Sequence, residues 1–169
     1  MASILAHLHE EHERLQHAIG RLHAVGAGEP VSDLHQQFSQ LLCQYTAYAR
    51  AEERILYSYM LHVKSMQARA IQGLEEHARL DALFRQAECT PCGCARWDAT
   101  IRRLCERVSR HLREEEHSLF DLARTALSSQ EAAGLGVCFV AERTRVYREL
   151  VRLGDQARLA PGGRIHHES

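Results

Sequence analysis

Apolar residues recur along the chain at steps of three and four over long stretches, the period of a helix with one inward face. The pattern predicts helices over 3–25, 32–63, 66–87, 96–126 and 129–156. Proline and glycine supply the punctuation, in Gly26-Ala27-Gly28-Glu29-Pro30, at Pro91 and Gly93, at Gly134 and Gly136, and in Pro161-Gly162-Gly163. Ser3 and Ser32 are placed to cap the first two helices, and Ser128 with Glu131 has capping-box spacing for the fifth. No segment alternates apolar and polar residues with period two, and no Asn-Gly or Asp-Gly hairpin turn occurs, so the predicted class is all-α. Short joints between the first three helices favour antiparallel neighbours. The expected architecture is an up-down-up-down four-helix bundle over residues 1–126, with residues 127–169 forming an additional C-terminal helix and a flexible tail.

Each of the first four stripes contains a residue that does not belong in an apolar core. Helix one reads Leu5, Leu8, His12, Leu15, Ile19, Leu22. Helix two reads Leu34, Phe38, Leu41, Tyr45, Tyr48, Glu52, Ile55, Tyr59, with a carboxylate at a core position. Helix three reads Ala70, Leu74, His77, Asp81, Phe84, with Leu80 competing for the place of Asp81. Helix four reads Trp97, Ile101, Leu104, Val108, His111, Glu115, Leu119, Leu122. A lone buried carboxylate costs several kcal/mol, so Glu52 and Glu115 require partners or a cation. His111 and Glu115 lie four residues apart, as do Tyr48 and Glu52, so each pair points to one side of its helix. Counting residues from the joints brings His12 near the level of Tyr48, and Glu52 to that of His77, at a rise of about 1.5 Å per residue. Carboxylates can bridge two cations while imidazoles cap them, and this donor set suits iron, manganese or zinc better than calcium.

The 169 residues fit one domain, with 21 Lys and Arg against 22 Asp and Glu. The formal charge of -1 argues against a nucleic-acid backbone or an anionic membrane as partner. Histidine is over-represented, at 12 against 4 Phe and 5 Tyr. Beyond the three on the stripes, His7, His9, His17, His23, His35, His62 and His117 read as solvated surface residues, His166 and His167 as part of the tail, and Glu114 and Glu116 as an acidic face. The N-terminus lacks a secretory signal and no window is apolar enough to span a membrane, so a cytoplasmic location is expected. Six cysteines are then expected to be reduced. Cys89, Cys92 and Cys94 share a loop, one thiol short of a closed zinc site; they read as a redox pair at Cys-x-x-Cys spacing, a metal-transfer set or a plain flexible loop. Cys43, Cys105 and Cys138 read as buried small hydrophobes. No nucleophile elbow or phosphate-binding glycine loop is present.

Four segments carry a family resemblance: His-Leu-His-Glu-Glu-His-Glu-Arg-Leu (7–15), Ala-Glu-Glu-Arg-Ile-Leu-Tyr (51–57), Glu-Glu-His-Ala-Arg-Leu (75–80) and His-Leu-Arg-Glu-Glu-Glu-His-Ser-Leu-Phe (111–120). They resemble the hemerythrin-like, or HHE cation-binding, family of di-iron four-helix bundles. The family's pattern of His, His-x-x-x-Glu, His and His-x-x-x-Glu falls on His12, Glu52, His77, His111 and Glu115, with Tyr48 where the family has histidine. The resemblance implies two iron ions bridged by Glu52, Glu115 and an oxo or hydroxo group, with His12 and His111 serving one iron and His77 the other. Tyr48 stands where the second iron's remaining imidazole belongs, either as a phenolate ligand or as a core tyrosine beside an open position. A phenolate favours ferric iron, which disfavours reversible O2 carriage. Asp81 is placed either to add an oxygen ligand or to orient His77.

Two functions from different classes follow. The first is a cytoplasmic non-haem di-iron protein that binds or reacts with NO, peroxide or O2, in nitrosative or oxidative stress or in iron handling. The second is a metal-stabilised interaction module for redox signalling or iron-sulfur repair, with no turnover of its own. The fifth helix carries Leu135, Phe139, Val146, Tyr147, Leu150 and Val151, and this face is expected to cover the bundle or to pair two copies as a homodimer.

Overall fold

The computed structural model describes residues 2–24 and 30–159. His166, His167 and most of the first glycine-rich joint lie outside the described residues. Among the described residues the chain is helical with no strand. Helix α1 covers Ile4–Ala24. Helix α2 covers Val31–Glu52 and runs on through a π-helical turn, Glu53–Tyr57, into Ser58–Met60. Helix α3 covers Gln67–Glu88. Helix α4 covers Ala95–Glu114 and also runs on through a π-helical turn, Glu115–Leu119, into Phe120–Ala126; α5 covers Ser129–Leu159. Contacts run α1 to α2, α2 to α3, α3 to α4 and α4 to α1, closing a four-helix ring, with α5 lying along α1 and α2.

The helix ends follow local chemistry. Ser3 Oγ accepts from the Ala6 N–H at 3.3 Å. The capping box forms: Ser128 Oγ accepts from the Glu131 N–H at 3.2 Å while the Ser128 N–H donates to Glu131 Oε2 at 2.8 Å. Ser32 does not cap α2. That helix begins at Val31 with Pro30 as N-cap residue, because proline lacks an N–H and its fixed φ suits a helix start. The α4 cap is a cysteine: Cys94 Sγ accepts from the Trp97 N–H at 3.4 Å. Gly93 before it takes φ +81°, the left-handed region that lets the loop turn against Val31.

The core follows the stripes up to the two π-helical turns and then departs from them. Leu8, His12, Leu15, Ile19 and Leu22 are buried on α1, and Phe38, Leu41, Tyr45, Tyr48 and Glu52 on α2. A π turn takes in more residues than an α turn, so past it the inward positions slip by one. Leu56, Tyr57 and Met60 are fully buried, whereas Ile55 and Tyr59, expected on the stripe, are only half-buried. On α4 the same slip buries Phe120 and Ala123 and leaves Leu122 half-buried. On α3, Leu80 is buried and Asp81 is not.

Helix α5 adds Phe139 to the common core, and it gives α1 a second buried face of Ile4, Glu11 and Ala18. Glu11 is buried between Arg14 and Arg143, the latter donating from Nε at 3.1 Å. Among the cysteines, Cys105 is buried, which pushes its thiol up to about 12. Cys43 is half-buried and Cys138 exposed, so neither is the core thiol its sequence position suggested. No helix among the described residues is long and apolar enough to cross a membrane.

Candidate metal centre

Two carboxylates and three imidazoles meet inside the bundle, delivered by all four of its helices. His12, Glu52, His77, His111 and Glu115 are all buried. One ligand atom from each of Glu52, His77, His111 and Glu115 falls within a mutual 4.8 Å, the one such group of His, Cys, Asp or Glu found among the described residues. Nε2 of His77 lies 3.1 Å from Nε2 of His111 and 3.4 Å from Glu52 Oε2. Nε2 of His111 lies 3.6 Å from Glu115 Oε1, and Nε2 of His12 lies 3.3 Å from Glu115 Oε2. The two oxygens of Glu115 therefore face two different sets of groups, as a bridging carboxylate must.

Each imidazole is oriented by an outer carboxylate. Nδ1 of His12 lies 3.0 Å from Glu116 Oε1, Nδ1 of His77 2.9 Å from Glu53 Oε1, and Nδ1 of His111 3.0 Å from Glu76 Oε2. A carboxylate on Nδ1 fixes the ring and turns Nε2 inward, the arrangement usual for metal-ligating histidine. Glu53 and Glu76 flank the inward stripe, and the sequence reading passed over them. Their signal was present, since each directly adjoins a stripe residue, Glu52 or His77. Glu116 is not simply part of a solvated face: it holds both His12 and the exposed His9, at 2.9 Å.

Tyr48 is fully buried, and its hydroxyl donates to Glu115 Oε2 while lying 3.3 Å from His12 Nε2. Tyr57, which sequence periodicity did not place inside, donates to the other oxygen of Glu115 at 2.5 Å. Its ring lies against Gly73, where a Cβ would stand 2.4 Å from Tyr57 Cζ. Asp81 is turned away from the cluster. It pairs with Arg50, which also holds Glu53 Oε2 at 2.5 Å, so Asp81 reaches His77 only through Arg50 and Glu53. Of the seven candidate residues, six therefore gather at one place, and Asp81 braces the outer shell.

The electrostatics set buried carboxylates against imidazoles that they hold charged. Both oxygens of Glu52 are buried without a well-formed hydrogen bond, Oε2 having the His77 imidazole at 3.4 Å, a costly state for a carboxylate and one that a cation relieves. Burial works against charging His77, but Glu52 and Glu53 outweigh it and raise the imidazole to about 10. His12 is also raised: burial opposes, and the bond to Glu115 prevails. Glu115 is pulled well below the usual carboxylate range, because His111 and His12 overcome its burial. Burial first, then Glu115, pushes Tyr48 well above an ordinary phenol. In the metal-free state, protons on imidazoles balance the carboxylates. A metal replacing them finds converging nitrogens and oxygens without a well-formed hydrogen bond, and the residues fit such a cofactor.

A cleft of about 300 Å³ between α1 and α4, lined by His9, His12, Gln16, His17, Arg113 and Glu116 among others, connects His12 with solvent. The thiols of the Cys89 loop do not join the centre. Cys89 is exposed, Cys92 is half-buried with Sγ 3.8 Å from the Val31 carbonyl, and Cys94 is occupied as a cap.

Comparison with known proteins agrees with this geometry. The model of the hemerythrin HHE cation-binding domain matches residues 3–123. A curated protein named DNA nickase, from Nostoc sp. (strain PCC 7120 / SAG 25.82 / UTEX 2576), is 29% identical over 126 residues, covering 73% of this chain and 34% of the relative. The chain thus spans about a third of that relative's length. No solved structure gave a significant match.

Proposed function

The chain belongs to the hemerythrin HHE cation-binding domain family, and from that premise we propose that it is a non-haem di-iron protein whose buried centre binds or reacts with a small ligand, NO or peroxide before O2. The observation that carries the reading is the set of three imidazoles, each held by an outer carboxylate at Nδ1 and turned inward at Nε2, around two buried glutamates of which one, Glu52, lacks a well-formed hydrogen bond on either oxygen. Glu52 and Glu115 would hold both ions, with His77 and His111, whose Nε2 atoms lie 3.1 Å apart, serving one and His12 with Tyr48 the other, a different pairing from the one the resemblance implies. When bound, iron supplies redox change and Lewis acidity toward a small ligand.

The chain's own residues set the conditions of that chemistry. Tyr48 and Tyr57 fix both oxygens of Glu115 and hold two phenolic protons beside it. Bound to iron, Tyr48 would give up its proton, and as a phenolate it would favour the ferric state, which supports peroxide or NO chemistry over reversible O2 carriage. The cleft lined by His12 and Glu116 brings solvent to the outer side of the His12 imidazole. A role in nitrosative or oxidative stress, or in iron handling, fits such a centre. DNA nicking is in the name of a relative of which this chain matches about a third, and none of the centre's features argues for it.

The test is spectroscopic. Iron-loaded protein is expected to change its visible spectrum on addition of peroxide or, without air, NO. Loaded protein whose spectrum responds to neither has no reactive centre, and the metal would then be structural.

A further inference from the structure

Arg69, on α3, is a cation that faces the centre without a hydrogen bond to any residue of it. Its side chain is only 9% exposed. Nε donates to Ser118 Oγ at 3.3 Å, and the Ser118 hydroxyl in turn donates to the Glu114 carbonyl at 2.7 Å. This bond, made to the π-helical turn of α4, fixes the guanidinium with its terminal nitrogens inward. There the nearest groups are Glu115 Oε1 and Glu76 Oε2, each 4.0 Å away and beyond hydrogen-bond distance. Nη1 is buried and makes no hydrogen bond, only this long ion pair with Glu76.

A plain counter-ion for Glu115 would close to contact, since an arginine fork matches a carboxylate at two points. Here the carboxylate is already taken: Tyr57 holds Oε1 and Tyr48 holds Oε2. An arginine that is always charged, nearly buried and short of acceptors is a waiting site for one more anion. The neighbouring side chains Glu76 and Glu115 are acidic and would repel such an anion without it.

We propose that Arg69 is a specificity-determining residue of the centre: it binds a small monoanion, the class of hydroperoxide, nitrite and azide, and favours it over neutral NO or O2. This rests on the reading that the centre holds iron and takes a small ligand, and it names the class of that ligand.

Azide is the probe, with NO as the neutral reference. Iron-loaded wild type, Arg69→Gln and Arg69→Lys are titrated with each, the visible spectrum giving two affinities per protein, and iron content is measured for all three. The expected result is a fall in the azide-to-NO affinity ratio of about tenfold in Arg69→Gln, the weight of one charge-assisted hydrogen bond, at unchanged iron content. Arg69→Lys, which keeps the charge and loses the fork, falls between. Should Arg69→Gln fail to fold, the lysine variant decides, with a drop in the ratio of about threefold expected from loss of the fork. An unchanged ratio, or wild type that binds NO and not azide, overturns the assignment and leaves the iron centre standing. Wild type that binds neither overturns the assignment, and silence toward peroxide as well overturns the reading of the centre.

Discussion

The imidazoles of the centre owe their orientation to carboxylates that lie off the inward stripe: Glu116 for His12, Glu53 for His77 and Glu76 for His111. Stripe reasoning finds residues that point into the core, so it isolated His12, Glu52, His77, His111 and Glu115. It cannot find a residue whose task is to hold a ligand from behind. Asp81 shows the limit from the other side: one turn beyond His77 it shares that residue's face in projection, yet Leu80 takes the core and Asp81 pairs with Arg50. Gly73 was equally silent in sequence, because a glycine on a helix states nothing of what lies over it. In the structure it is the seat of the Tyr57 ring, and Gly73→Ala would drive a methyl group into that ring. The variant is expected to lose about 1–3 kcal/mol in urea unfolding through overpacking. In a Tyr57→Leu background the same change is expected to cost less than half as much. Equal costs in the two backgrounds would show that the ring is not what Gly73 accommodates.

At the scale of elements, helix number, order and approximate ends were legible because a period of three to four residues persists over each segment. What a fixed period cannot express is a turn of a different size. Both π-helical turns begin at the interior glutamates, one directly after Glu52 and one at Glu115, and π turns often mark functional sites. Their slip brings Tyr57 inward in place of Ile55 and Tyr59. Helix α5 was legible as an amphipathic helix without a berth, and its berth proved to be α1 and α2. Its docking includes a buried ion pair, Glu11 with Arg143, beside Arg14. Removing one partner strands a buried charge. Arg143→Ala is therefore expected to lower stability by about 2 kcal/mol, Arg14 softening the loss, whereas the paired change of Glu11 and Arg143 to leucine is expected to be close to neutral. Thermal melts of the two variants check this ordering, and a double variant less stable than the single one would contradict it.

For the molecule as a whole, pH should act in opposite directions on the metal-free and loaded forms. In the metal-free protein His77 is raised to about 10, so its contribution to stability is complete below the ordinary histidine value near 6.5 and is lost as pH rises through about 10. Glu115 is lowered, so its contribution is present above the ordinary carboxylate value and is lost as pH falls below it. The metal-free protein is thus expected to melt at progressively lower temperature from pH 6.5 to pH 9. A bound metal needs neutral imidazoles, so loading releases protons and tightens as pH rises. The gap between the two melting temperatures should widen with pH, and a gap that narrows would argue that the metal displaces no proton from His77. The centre itself is tested most directly by counting metal. In protein produced without a histidine tag, elemental analysis is expected to give about two iron atoms per chain, the count in di-iron four-helix bundles, with a phenolate-to-ferric band in the visible spectrum that Tyr48→Phe abolishes. Iron content should collapse in Glu115→Gln. A folded wild-type chain that takes up no iron, manganese or zinc, or one whose iron content is indifferent to Glu115, would contradict the account.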